Sequence, residues 1–371
     1  MDLRNKKLAK VLIEHSLEVK KGDKVVISTS DLHPTDLVRE TLKLILQKGA
    51  YPYLDIMGWN WILGRSSYGD LARVYIENAN IDQLQKIPTI YKNIIDWGTK
   101  FVRITTLNNY AHLAGVDSKK MINFNKAYEK EFNRLIDKRA WILTYYPTPA
   151  LAQQAGMSEE ELTNFYFKAC LIDYKKMKRQ GDKVAKIMDR AKVVHIVGEK
   201  TDLYINIEGR LAENAYGKRN IPDGEVFLAP VYQKTKGYIY YDLINYKDGV
   251  DVKGVYLEFE KGKVIKSKAE QGEEVLNRIL NTDKGARYLG ELGLGLNYGI
   301  TKPMRNTLFD EKIGGTVHVT LGKAYKSKRG GAPKGGNKSA IHWDLVKDMR
   351  KKGSYIEVDG QIVFKEGKWL I

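Results

Sequence analysis

The sequence contains a single cysteine, Cys170, among its 371 residues, which excludes an internal disulfide framework. It also contains no apolar run long enough to span a membrane and no internal repeat or low-complexity tract. Residues 1–7 lead into an amphipathic helix pattern without the apolar core of a secretory signal. These absences predict a soluble, cytoplasmic protein. Because Cys170 lies in an apolar, helix-like stretch from Phe165 to Ile172, we expect a buried thiol rather than a catalytic nucleophile.

Positive charge is in excess, with 62 Lys and Arg residues against 45 Asp and Glu residues, giving a formal net charge of +17. Such a surplus raises nucleic acid or an anionic surface as a partner, and a basic binding module would predict salt-sensitive binding without metal dependence. However, the charges of both signs are interleaved along the chain, and no zinc-finger spacing, RNA-recognition signature or continuous basic arm is present. We therefore expect neither a specific nucleic-acid partner nor a membrane. The composition is also typical of the ion-paired surfaces of heat-adapted proteins.

The length and the order of the predicted elements indicate two domains. Residues 1–190 read as an α/β domain with an open, mostly parallel sheet, because strand and helix patterns alternate there. Its predicted elements are a helix from Leu8 to His15, a strand from Lys24 to Ser28, a helix from Thr35 to Gln47, and strands from Ala50 to Met57, Phe101 to Thr106 and Ala140 to Thr144. Two further helices are predicted from about Ser158 to Arg179 and from Asp182 to Ala191.

Residues 191–371 read as a β-rich α+β domain. Short strands with hairpin turns follow one another there, interrupted by a helix pattern from Glu273 to Leu280. The predicted strands run from Val193 to Val197, Leu203 to Glu208, Gly237 to Tyr241, Val255 to Phe259 and Lys263 to Lys266.

Two strand patterns in the second domain carry metal-ligand side chains. In residues 314–322, polar and apolar residues alternate, so Thr316, His318 and Thr320 share one face of a strand, away from the core. His342 and Asp344 are two residues apart between apolar neighbours, and on an extended segment they point the same way. Imidazole and carboxylate together suit zinc, manganese, cobalt or iron. A lone His or His-x-Asp pair is more often a satisfied surface or core residue, so the spacing leaves both interpretations open.

Glu225 and Glu291 are the carboxylates that would complete such a site. Glu225 follows a Pro-Asp-Gly turn and could equally be a solvated residue, while Glu291 lies beside a glycine-rich segment and could be a helix-end carboxylate. Spacing alone cannot show that four separate segments converge on one point.

Taken in order, the motifs resemble the aminopeptidase T family, the AmpS-type or M29 metallopeptidases, and the resemblance runs nearly end to end. The amino-terminal segment from Leu8 to Gly49 resembles the family's opening strand and helix, and the middle of the chain agrees at Tyr146 to Ala150, Ala155 to Ser158, Thr201 to Leu203 and Glu208 to Arg210. The most specific blocks are Pro222 to Phe227, Gly290 to Gly293, Asn306 to Lys312, Gly314 to His318 and Ser339 to Asp344.

The resemblance implies a cytoplasmic metallo-aminopeptidase acting on peptides with a free amino terminus. It implies two divalent metal ions, zinc or cobalt, with manganese or magnesium as alternatives, and a homodimer. Tyr325 falls on the family's active-site tyrosine. The residues that fall on the metal ligands are Glu225, Glu291, His318, His342 and Asp344. The basic, glycine-rich segment from Lys326 to Lys338, and Tyr298 where the family pattern has proline, depart from the pattern, so substrate preference cannot be carried over.

The expected mechanism is attack on the first peptide bond by water bound to two metals, with Glu291 as the bridging ligand. Tyr325 would hydrogen-bond the tetrahedral oxyanion or complete a metal shell, although a tyrosine that ends a strand is mostly a packing residue. The alternative function is a mononuclear iron dioxygenase, because His318, His342 and Asp344 could form a facial triad. Glu225 and Glu291 would then be superfluous, which favours the peptidase.

Overall fold

The structure is a computed structural model that describes residues 2–56, 69–106, 108–109, 111–247 and 249–371. The chain divides into two compact units. Unit 1 comprises Met1–Leu171 with Gly217–Ile221, and unit 2 comprises Ile172–Tyr216 with Pro222–Ile371. Residue 190 lies inside unit 2, in a turn, and a domain boundary at that residue stays a prediction. Among the described residues, no helix combines the length and apolar composition needed to cross a membrane.

Unit 1 is built on a parallel sheet with the strand order β2-β1-β3-β4-β8. The strands are β1 (Lys24–Thr29), β2 (Tyr51–Ile56), β3 (Lys100–Thr105), β4 (Ala140–Tyr145) and β8 (Asn220–Ile221). The predicted open, mostly parallel sheet is confirmed; Met57, at the end of the second predicted strand, lies outside the described residues. The helices are Leu3–Lys10, which continues as a π-helical segment Val11–Ser16, and Thr35–Gln47, Gly69–Asn78, Ile81–Leu84, Thr89–Trp97, Ser118–Lys138, Pro149–Ala155 and Glu159–Cys170.

The helix predicted from Ser158 to Arg179 is wrong, because the helix ends at Cys170 and a second one, Tyr174–Met188, begins after Asp173. The carboxylate of Asp173 accepts a hydrogen bond from the Lys176 amide at 2.9 Å. Such a side-chain cap satisfies an amide that has no partner within its helix, so it favours a helix start at this position. The sequence did not indicate this break, because the helical spacing of apolar residues continues from one helix into the next.

Cys170 is completely buried, and burial raises the pKa of its thiol. A thiolate is the reactive form, so in the folded protein this thiol lacks both access and ionisation. We expect no reaction of the native chain with a thiol-specific disulfide reagent, and one reactive thiol per chain after denaturation, the rates differing by at least about 10³-fold. Rapid titration of native protein would contradict this, since it would require frequent opening of this part of unit 1.

Unit 2 contains the remaining strands. They are β5 (Val193–Gly198), β6 (Thr201–Asn206), β7 (Glu213–Ala215), β9 (Glu225–Leu228), β10 (Lys236–Tyr241), β11 (Asn245–Lys247), β12 (Val250–Val252), β13 (Val255–Glu260), β14 (Lys263–Lys268), β15 (Leu289–Gly295), β16 (Thr316–Gly322), β17 (His342–Asp348), β18 (Tyr355–Val358), β19 (Gln361–Lys365) and β20 (Lys368–Trp369). Its helices are Tyr174–Met188, Glu273–Leu280 and Thr307–Asp310, with a 3₁₀ turn at Tyr232–Lys234.

Two larger sheets and one two-stranded ribbon, β11-β12, make up the β structure of unit 2. The eight-stranded sheet has the order β14-β13-β10-β6-β5-β18-β19-β20, and the five-stranded sheet has the order β17-β16-β15-β9-β7. All pairings in the five-stranded sheet are antiparallel. An apolar core joins residues of both sheets with the Tyr174–Met188 and Glu273–Leu280 helices. The predicted β-rich carboxy-terminal region is therefore confirmed.

Candidate metal centre

One face of the five-stranded sheet carries all five predicted ligands. In the registers of that sheet, Glu225 is opposite Gly295, and His318 is opposite Gly293. Directly opposite residues in an antiparallel pair project to the same face, and so do residues two apart on one strand, such as Gly293 and Gly295. Glu225 on β9 and His318 on β16 therefore lie on the same side of the sheet. The opposite face consists of apolar residues that belong to the core of unit 2: Val226, Leu228, Leu292, Leu294, Val317, Val319, Leu321, Trp343 and Leu345.

The remaining ligands follow from the same registers. Asp344 is opposite Thr320, and Thr320 is also opposite Glu291. His342 lies two residues before Asp344 on β17, so it faces the same side. The alternation predicted for His318 and for the His342–Asp344 pair is therefore present in regular strands, and four strands bring the five side chains to one surface.

The register of β15 is irregular just before its ligand. Leu289 is opposite Leu321, whereas Glu291 is opposite Thr320, so β15 has one residue more than β16 across this interval. This arrangement is a β-bulge that includes Gly290. Beyond the bulge, pairing is regular to the end of the strand.

Gly293 makes room for the imidazole of His318. A Cβ atom built on Gly293 would lie 1.9 Å from both Cε1 and Nε2 of that ring. The His318 side chain is completely buried, so any larger residue at position 293 would have to displace it. Gly293 is therefore part of the site as well as of the strand.

Glu291, His342 and Asp344 form the first group of donor atoms. One ligand atom from each lies within 4.8 Å of the others, and Nε2 of His342 is 3.5 Å from Oδ1 of Asp344. Nδ1 of His342 donates to the carbonyl oxygen of Lys323 at 2.8 Å, which leaves Nε2 available as a ligand. The hydroxyl of Thr320 donates to Asp344 and orients that carboxylate.

Glu225, His318 and Glu291 form the second group. Nε2 of His318 lies 3.4 Å from Oε2 of Glu225 and 3.4 Å from Oε1 of Glu291. Nδ1 of His318 donates to the carbonyl oxygen of Glu311 at 3.0 Å, so its Nε2 also faces the carboxylates. Glu291 is the residue that the two groups share. Oε2 of Glu225 is buried and has no hydrogen-bond partner among the described residues, as expected for an oxygen that serves as a metal ligand.

Glu311 and Lys312 also contact this centre, although neither is among the residues predicted from the sequence. They follow the Thr307–Asp310 helix, and the Lys312 ammonium lies 3.2 Å from Oε1 of Glu225 and donates to the carboxylate of Glu311. Neither residue lies on a strand of the sheet, so alternation could not identify them. Both are inside the Asn306 to Lys312 block that resembles the family, which was the one available signal.

The concentration of buried carboxylates controls the electrostatics of the site. Burial raises the pKa of Glu225 to about 8, with the attraction of Lys312 opposing that rise. Burial would lower the pKa of His318, but its hydrogen bond with Glu291 and the charges of Glu225 and Asp344 raise it to about 9. The pKa of Asp344 is lowered, because the attraction of His342 and His318 outweighs its burial. The site therefore favours positive charge at its centre.

The donor set fits divalent metal ions. Two imidazoles whose other nitrogen donates to a backbone carbonyl, together with three buried carboxylates, are ligands that zinc, cobalt and manganese accept. Oε2 of Glu225 adds a buried oxygen that forms no hydrogen bond with the described residues. The structure therefore provides a chemical reason for a metal at this position.

Tyr325 lies at the edge of the centre. Its ring centroid is 5.0 Å from that of His342, and its side chain is half exposed. A phenol in this position is close to the ligands and still accessible to a substrate.

Comparisons with known proteins identify the family of this chain. The family model described as thermophilic metalloprotease (M29) matches residues 1–369. The chain is similar to aminopeptidase T of Thermus thermophilus, with 28% identity over 98% of both chains, and to aminopeptidase AmpS of Bacillus subtilis, with 27% identity over 100% of both. Among solved structures, wild-type AmpT from Thermus thermophilus superposes with a TM-score of 0.82 at 26% identity, covering 99% of each chain. This chain is therefore an enzyme of the M29 family of metalloproteases, whose relatives named here are aminopeptidases.

Proposed function

We propose that the protein removes the amino-terminal residue from peptides, by a water molecule that two divalent metal ions activate. The observation that carries this proposal is the pair of donor groups that share Glu291 on one face of a single sheet. Membership of a metalloprotease family and relatives named aminopeptidases support the reaction class.

In this proposal, Glu225 and His318 would hold one metal ion, His342 and Asp344 would hold the other, and Glu291, which both donor groups share, would contribute to both positions. When bound, these metal ions would lower the pKa of a water molecule and stabilise negative charge on the carbonyl oxygen of the first peptide bond. Zinc or cobalt suits these nitrogen and oxygen ligands, with manganese or magnesium as alternatives.

The protein side chains around the ligands have separate tasks. The Tyr325 hydroxyl would donate a hydrogen bond to the oxyanion of the tetrahedral intermediate, because the ring lies beside His342 and is half exposed. The buried carboxylates would attract the charged amino terminus of a peptide, which favours removal of a terminal residue over internal cleavage. The hydrogen bonds from His318 and His342 to backbone carbonyls hold both rings in one orientation.

Metal removal is the direct test of this function. We expect a chelator to reduce release of the first amino acid from short peptides by at least about 10³-fold, because metal activation supplies several kcal/mol of transition-state stabilisation. Zinc or cobalt added back should restore release from peptides with a free amino terminus and leave acetylated peptides uncut. The amino acid released is quantified by chromatography, and metal content is measured on the same samples.

The outcome separates the candidate functions. No release from any peptide when metal is fully bound would remove the aminopeptidase assignment. The relatives give no support to an iron dioxygenase, and that alternative leaves the close approach of Glu225 to His318 without a purpose. The homodimer stays a prediction from the resemblance, and the cytoplasmic location stays a prediction from the composition of the sequence.

A further inference from the structure

Lys312 places a positive charge inside the candidate metal centre. Its side chain is completely buried, and its ammonium contacts carboxylates on two sides: Oε1 of Glu225 at 3.2 Å and the carboxylate of Glu311. A buried ammonium is costly unless it is paired, and these two carboxylates provide the pairing. Lys312 therefore has a fixed position relative to one predicted ligand.

The charge of Lys312 persists in the folded protein. Its ammonium contacts the carboxylates of Glu225 and Glu311, and both contacts favour the charged form of the lysine. A metal ion and Lys312 would both draw on the negative charge of Glu225, since one oxygen of that carboxylate faces Lys312 and the other faces His318.

The two donor groups differ in their contact with Lys312. Glu225, of the group with His318, binds the ammonium directly, whereas no hydrogen bond or ion pair joins Lys312 to Glu291, His342 or Asp344 within the described residues. In a buried site, repulsion between positive charges is weakly screened and decreases with distance. The penalty that Lys312 places on a metal is therefore larger at the Glu225–His318 position.

We propose that Lys312 weakens metal binding selectively at the Glu225–His318 position, so that the two positions fill in order and the second metal is the exchangeable one. This inference rests on the two-metal function proposed above. Lys312 is a positioning and tuning residue here, because it acts on a ligand and not on the substrate. The same ammonium neutralises part of the carboxylate cluster before the second metal binds.

The test is a cobalt titration of the metal-free protein, followed by visible absorption and by equilibrium dialysis. In the wild-type chain we expect two binding steps of different affinity. In Lys312→Met, the weaker step should tighten at least about tenfold, and the stronger step should shift less, because the deleted charge is nearer the weaker position. Lys312→Gln, which removes the charge and keeps a hydrogen-bonding side chain, serves as a second variant if the methionine protein folds poorly. Lys312→Arg keeps the charge and should bind cobalt like the wild type.

Lys347→Met is the matched control. Lys347 is also a completely buried lysine of the five-stranded sheet, but its side chain lies on the face of β17 opposite to that of Asp344. It donates hydrogen bonds to the carbonyl oxygens of Tyr240 and Glu199 and to no predicted ligand. Its removal should leave both cobalt affinities as they are. Circular dichroism of each metal-loaded variant verifies the fold.

The outcomes separate this inference from the proposed function. An unchanged or weakened second step in folded Lys312→Met and Lys312→Gln would overturn the role of Lys312. One cobalt ion per wild-type chain but two per Lys312→Met chain would support that role while removing the two-metal function from the native enzyme. One ion in both proteins would overturn the inference.

Discussion

Replacement of Glu291 with glutamine is expected to reduce turnover by about 10³-fold or more, equivalent to roughly 4 kcal/mol in the activation free energy. Glutamine has nearly the same shape, so the strand and its packing should persist. The change removes the negative charge from the residue that both donor groups share, so both metal positions lose a ligand. The measurement is kcat on a short peptide with a free amino terminus, combined with metal content and circular dichroism.

A matched glutamate elsewhere separates this effect from a general loss of charge. Glu260 ends β13 in the eight-stranded sheet and is exposed, so Glu260→Gln should turn over like the wild type. Near wild-type turnover of Glu291→Gln with a full metal complement would remove Glu291 from the mechanism. Loss of folded structure would instead assign the residue a structural role.

Gly293→Ala is expected to abolish metal binding at the Glu225–His318 position, although the substitution adds only one methyl group. The new Cβ would lie 1.9 Å from two atoms of the His318 ring, which must therefore leave its place. Forcing a side chain out of a close-packed site costs about 1–3 kcal/mol of folding stability. Turnover should fall by at least about 10²-fold, because the displaced imidazole no longer reaches its partners. Metal stoichiometry and urea unfolding give the two readouts.

The double variant with His318→Ala tests the cause directly. If the clash with the imidazole is responsible, Gly293→Ala should cost little stability in the His318→Ala background, because the ring is then absent. The coupling free energy between the two positions would be about 1–3 kcal/mol. Equal destabilisation in both backgrounds would mean that the methyl group disturbs the backbone of β15 and not His318.

Local sequence pattern predicted much of the site, but not its assembly. Alternation placed His318 on a strand with its side chain away from the apolar face, and it gave His342 and Asp344 a common direction. It could not show that β9 pairs with β15, because the strands β10 to β14 lie between them in sequence. The resemblance to a family supplied the association of Glu225 and Glu291 with the histidines.

Other features escaped prediction for identifiable reasons. Glu311 and Lys312 follow a four-residue helix, where charged side chains are usually solvated, so the local sequence does not indicate that Lys312 is buried. The break at Asp173 was missed because one apolar pattern continues across two helices. The fold class of both regions was predicted from the order of helices and strands over long stretches of sequence, and an error in one helix boundary does not change that order.

The bulge in β15 makes the site depend on how the backbone of that strand pairs. In an uninterrupted strand, residues two apart face the same side, so Glu291 would share the apolar side with Leu289. The additional residue at Gly290 reverses the phase, and Leu292 and Leu294 then continue on the core side while the carboxylate turns outward. Regular pairing of β15 with the same number of residues would leave every ligand in the chain and yet place Leu289 and Glu291 on one face. The spacing of three between Leu289 and Leu292, in a strand that otherwise alternates, therefore fits the ligand face only because the bulge takes up one residue, a requirement of backbone pairing that conservative substitutions along β15 would not reveal.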